Sequence, residues 1–213
     1  MEQVGRQARH LQKLHIMPDA KTTSSNASSS CNTFIWTALL CVIGVWLVAL
    51  VAAGLAAATA FSSLSPLEPS SESLAGYPQP WQWRYLAGLV TEPAFRIADI
   101  TQFICLPLAF LLLLWQHRTG ALLRTRILDH VRTYMVLLAG LLLMARWQSV
   151  QMAMATLLKT ERAFVADGNW AGAQMTQDAF LQYHGTASHF WEATTVVVAI
   201  AFITTAWAAS KRA

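Results

Sequence analysis

Hydrophobic residues run almost without interruption through four stretches of this chain. Phe34 to Phe61 is 28 residues without a charge, Ile100 to Trp115 is uncharged after Asp99, Tyr134 to Ala155 is broken only by Arg146, and Ala193 to Ser210 is clean. About 20 apolar helical residues cross the hydrocarbon core of a bilayer. The pattern therefore predicts an all-α, integral membrane four-helix bundle at 34–210, with spans of about 34–61, 97–116, 128–158 and 186–210. Residues 1–33 read as a polar, basic N-terminal tail, which sets the first run too deep for an ordinary signal peptide. Within the tail, Val4, Ala8, Leu11 and Leu14 recur at near-helical spacing with Arg6, Arg9 and Lys13 between them. That spacing suits a surface helix on anionic lipid, a targeting segment weakened by Glu2 and Asp19, or a plain tail. The Ser/Thr-rich stretch Thr22 to Ser30 reads as a tether.

The connections differ in kind. The first carries Ser65-Pro66 and Glu68-Pro69, then Trp81, Trp83 and Tyr85. Such a cluster suits the headgroup region, and an interfacial segment ending near Pro93 is expected. The second, from Gln116 to Asp129 around Gly120, is short and predicts an antiparallel hairpin of the second and third helices. The third helix keeps its rhythm through Leu157, Leu158, Phe164 and Val165 until Asp167-Gly168-Asn169 stops it, and the fourth is expected to start near Gly172.

Composition agrees with the pattern. Of the 213 residues 55% are hydrophobic and 12% charged, with a mean hydropathy of +0.40; soluble domains carry roughly a quarter charged residues. Three cysteines are an odd number, and Cys41 and Cys105 lie in apolar runs, so no disulfide framework is read. The net charge of +4 divides unequally. Ten Lys and Arg residues flank the spans on the side of the tail, the second connection (Arg118, Arg124, Arg126 and Arg132, counted as loop charges) and the C-terminus, whereas Arg84, Arg96, Lys159 and Arg162 lie opposite. The positive-inside rule then puts both termini on the inner side, in the cytoplasm or in the matrix if the membrane is mitochondrial. The lipid bilayer is the expected partner, and nucleic acid is not.

Ionisable residues at membrane depth are costly, so each needs a partner or a task. Counted at 1.5 Å per residue from the inner ends of their spans, Asp99, Arg146 and Glu192 lie about 24, 18 and 25 Å up, close enough for one shared cluster. Mutual neutralisation that orients the helices is the first reading. A hydrated path for a cation or proton, helped by Gln102, Gln148 and Gln151, is the second. The fourth helix adds His184, Ser188 and Glu192 at i, i+4 steps, with His189 at i, i+3 from Glu192. His184 and His189 are five apart, unlike the i, i+4 pair of a helix-borne zinc site, so no metal is assigned. His130 lies at the far end of the third helix, which disfavours bis-His haem, and no cofactor is expected. Phosphate loops, nucleophile elbows and CxxC motifs are absent from the sequence. The small residues Ala52, Ala53, Gly54, Ala56, Ala57 and Ala58, with Gly44 and Gly140, favour close helix packing.

The order of features, a Gly/Ala-rich first helix, a long third helix leading through Thr160-Glu161-Arg162, then Phe180-x-x-x-His184-Gly185 and a final span, resembles the transmembrane protein 205-like family of uncharacterised membrane proteins. The resemblance covers about Phe34 to Ser210 and implies a four-helix membrane domain, with little chemistry to transfer. Where that family has Ser and then Asn after the Gly, this chain has Ala187, Ser188 and Trp191.

The sequence supports a non-enzymatic structural or accessory subunit of a larger membrane assembly, held by other subunits or by self-association. The alternative is a small transporter or ion-handling protein using Asp99, Arg146, Glu192 and His184.

Overall fold

Long uninterrupted helices follow from a chain whose apolar runs leave the backbone no polar partner but itself. In the computed structural model, which describes residues 21–67, 69, 71–79, 81–119 and 126–211, the regular structure is entirely helical. Helix α1 is Lys21–Leu64, a single 3₁₀ turn covers Glu72–Leu74, and α2 is Trp81–Arg118. A rod follows in three pieces, α3 at Arg126–Arg146, a π turn at Trp147–Gln151 and α4 at Met152–Ala166; α5 is Trp170–Ser210. Four of these units, counting the rod as one, are long and apolar enough to cross a membrane. The heptapeptide-like stripe on the rod, Asp129, Arg132, Val136, Ala139, Leu143, Arg146 and Val150, is buried throughout.

The chain runs up and down. Facing residues show this along α1 and α5, where a side chain at Gly44 would meet Phe202 and one at Gly54 would meet Trp191. Helix α1 packs closely on α2 and α5, and the rod packs on α5. The expected α2–α3 hairpin is antiparallel but looser, and it meets chiefly through long side chains such as Gln116 with Arg132 and Phe103 with Trp147. Trp46, Leu39, Ile43 and Leu50 of α1 fill the core against Cys105, Ala109, Val136, Ala139 and Val198.

Two boundaries differ from expectation. Helix α2 begins at Trp81, about four turns before the predicted span, and continues through Pro93 and Pro107. Both prolines sit on its exposed side, two heptads apart, where their rings do not intrude on the packed core. Thr22 to Ser30 lies within α1 rather than forming a tether. Helix α5 starts at Trp170, near the expected Gly172: Gly168 takes a left-handed conformation at φ 67°, and the Asn169 side chain accepts from the Gly172 amide at 3.0 Å, capping the helix. The amphipathic pattern at Val4 to Leu14 and the turn at Gly120 lie outside the described residues.

A second, smaller core closes the end opposite the start of α1. Leu74, Tyr77 and Ala173 are buried there with Trp81, Tyr85, Phe164 and Trp170 around them. Tyr77 stacks on Trp170 at 5.9 Å. Gly76 lies so close to that indole that any Cβ would overlap it. Gly76→Ala should therefore destabilise the fold by roughly 1–3 kcal/mol, the usual cost of overpacking, read as a lower melting temperature in detergent. An unchanged melting temperature would show that the cap yields freely.

Candidate functional site

Asp99 and Arg146 meet inside the bundle. The Arg146 guanidinium donates to Asp99 Oδ1, and its other face lies 5.0 Å from the Trp191 ring of α5. Asp99 also accepts from Gln102 Nε2 at 3.2 Å on Oδ1 and from Gln151 Nε2 at 3.2 Å on Oδ2. Arg146 is only 4% exposed. The π turn explains how Gln151 takes part. In an α-helix, residues 146 and 151 would diverge by about 140°, but an i→i+5 turn stacks residues five apart, so both side chains reach one carboxylate.

Other predicted site residues stand elsewhere. Glu192 follows Trp191 by one residue, about 100° around the helix, so while the indole covers Arg146 the carboxylate turns outward and is 74% exposed. Its contact is His189, 3.8 Å away and 84% exposed. The shared Asp99–Arg146–Glu192 cluster therefore does not form, because Asp99 and the indole flank the guanidinium while Glu192 points away from it. His184 stacks on Phe180 with ring centroids 5.7 Å apart, and Ser188 donates to the His184 carbonyl oxygen at 3.0 Å. His184, His189 and Glu192 thus line the outside of α5. Among the described residues, no three His, Cys, Asp or Glu side chains gather as a metal would require.

Two further polar groups escaped the sequence reading. Arg132, counted there as a loop charge, is buried beside Asp129 at 3.1 Å, donates to Gln116 Oε1 at 2.8 Å and covers the Trp36 ring at 4.3 Å. Its signal was the four-and-three spacing that places Asp129, Arg132 and Arg146 on the same stripe as Val136 and Leu143. At the other end, Tyr77 donates to Glu161 Oε1 at 3.1 Å. The Gln177 amide is assigned with its nitrogen toward Glu161, 3.0 Å from both oxygens, because the reverse would set oxygen against oxygen. Only the aromatic cluster near Tyr77 hinted at this group. On the surface between the two, Arg162 pairs with Glu92.

Burial, then the negative charge of Glu161, pushes the Tyr77 phenol well above its ordinary value of 10.0. The folded state keeps a proton that the unfolded chain releases near pH 10. The resulting stabilisation is complete below that pH and is lost as pH rises through the folded value. Tyr77→Phe should flatten the decline in stability above pH 10, followed by circular dichroism; an unchanged slope would remove Tyr77 as its source.

No protein-family model, curated protein or solved structure matches this chain.

The interior pair makes a sharper prediction. Arg146→Ala leaves Asp99 buried without its counter-charge and should cost roughly 3–5 kcal/mol. Glu192→Gln, on an exposed flank, should change stability by no more than about 0.5 kcal/mol. Folded yield after detergent extraction distinguishes them, and equal losses in the two variants would contradict the assignment.

Proposed function

We propose that this chain is a non-enzymatic integral membrane protein that serves as a structural or accessory subunit of a larger membrane assembly, with both termini on the side richer in Lys and Arg. One observation carries the reading: the buried charges are met inside the bundle by an opposite charge or by hydrogen-bond donors, whereas the polar stripe of α5 faces outward. Asp99 and Arg146 are closed off by Gln102, Gln151 and Trp191. His189 and Glu192 stand exposed beside one another on the outer flank. A carboxylate and an imidazole at the height of Trp191 are poor neighbours for lipid tails and good ones for polar groups of an adjoining subunit or a second copy. The small-residue face of α1 supports the same reading, since close helix approach stabilises association in lipid.

An ion-handling role is the second reading, favoured by the π turn, because such turns often accompany functional sites. It centres on Asp99, whose carboxylate is reached from two helices. Flux of protons and divalent cations into reconstituted vesicles, with Asp99→Asn as the control, tests it. Equal flux in empty and protein-containing vesicles would exclude it.

For the accessory reading, the chain extracted in a gentle detergent should run in native mass measurement as a complex, with a partner subunit or with itself. Combined His189→Ala and Glu192→Ala changes should loosen that complex while leaving helix content intact. A lone monomer with nothing bound would sink the proposal.

A further inference from the structure

The loose seam between α2 and α3 opens outward as a groove of about 500 Å³. Its walls are entirely apolar, with Leu106 and Phe110 on one side and Leu137, Leu141 and Met144 on the other. Gly140 forms the floor, where a Cβ would stand 3.1 Å from Leu106 Cδ1. The groove would be shallower with any other residue there.

What lies at its mouth follows from helix geometry. Eleven residues make three turns plus about 20°, with a rise of about 16 Å. His117 therefore continues the stripe of Leu106, Arg118 that of Pro107, and His130 that of Leu141. All three are exposed. Tyr134 lies between groove and mouth on α3, 64% exposed, with its ring 6.3 Å from that of His130. Arg118 brings a full positive charge to this mouth, and the nearby acid, Asp129, is paired with Arg132. Along the seam the surface thus passes from hydrocarbon, through an amphipathic phenol, to a cationic, donor-rich rim. That is the order of a phospholipid read from tail to phosphate, and basic rims between membrane helices suit anionic headgroups.

We infer that the α2–α3 groove seats an acyl chain of one anionic phospholipid from the bilayer, whose phosphate is held by Arg118 and by imidazole donors of His117 and His130. The site rests on the membrane reading of the chain and is independent of its role as an accessory subunit. Arg132 is not part of the site, since Asp129, Gln116 and Trp36 occupy its guanidinium.

Native mass spectrometry of the full chain in gentle detergent tests this, with phosphatidylglycerol and phosphatidylcholine of identical acyl chains as probes. One phosphatidylglycerol should be retained in preference to phosphatidylcholine. Arg118→Gln, at an exposed position that the fold does not need, should lower that retention about fivefold, near the contribution of one basic residue to anionic-lipid binding. Leu141→Trp, which fills the groove from its 68% exposed flank, should lower retention of either lipid, with circular dichroism confirming that the helices persist. Equal retention of the two lipids in the native chain would overturn the proposal, as would phosphatidylglycerol binding indifferent to Arg118→Gln. If Leu141→Trp instead dissolved a dimer, the groove would belong to a second copy and the inference would fall. A chain that stayed dispersed without any detergent would refute the membrane reading itself, a result separate from these.

Discussion

A carboxylate and a guanidinium taken out of water must find each other, and the bundle is arranged around the place where Asp99 and Arg146 do so. Either charge alone would carry a desolvation cost of several kcal/mol, so α2 and the rod are constrained both in rotation and in height. The constraint spreads from there. Trp191 lies against the guanidinium and sets the face that α5 presents, and Phe95 packs edge-on to the same indole at 5.1 Å. The π turn shifts the rod's register so that Gln151 joins Asp99, and the buried face then continues into α4 toward Glu161. Glu192 is sent outward by the same geometry.

Seen along the rod, the interior is layered. Arg132 and Arg146 are 14 residues apart, about 21 Å, and Glu161 lies about 22 Å beyond Arg146. The apolar core of Trp46, Leu50, Ala109, Ala139 and Val198 occupies the space between the first two polar layers. Tyr77, Trp170 and their neighbours close the third. The rod contributes Arg132, Arg146 and Glu161 to the three layers, so sliding it by a turn would break a buried polar contact in every layer at once. Apolar packing alone gives no such penalty, since Leu and Ala meet similar neighbours after a slip. The polar layers therefore supply register, and the apolar residues supply contact area.

Much of this was legible in the sequence. The four apolar runs gave the number of long helices, and Asp167-Gly168-Asn169 marked the one sharp turn between the rod and α5, because a left-handed Gly and an Asn cap leave a local signature. Asp99 and Arg146 were found because charges are rare within apolar runs. The start of α2 was not legible: Pro93 and the Trp-rich stretch before it look like a break until the structure shows the proline on the outer face. The shared cluster with Glu192 failed for a related reason. Axial height can be counted from a sequence, but the face of a helix depends on its neighbours, and Trp191 claimed the inward direction. Arg132 was misread as a loop charge because it lies near the end of a span, where basic residues ordinarily face water.

The central claim, that the Asp99–Arg146 pair fixes the register of the bundle, is tested most directly by a double-mutant cycle with Asp99→Leu and Arg146→Met, followed by thermal unfolding in detergent. Each single substitution strands one buried charge, while the pair of substitutions removes both. The account predicts that each single variant loses most of its folded fraction and that the double variant recovers much of it, leaving a strong favourable coupling between the two sites. Losses that simply add, with the double variant the least stable of all, would contradict it.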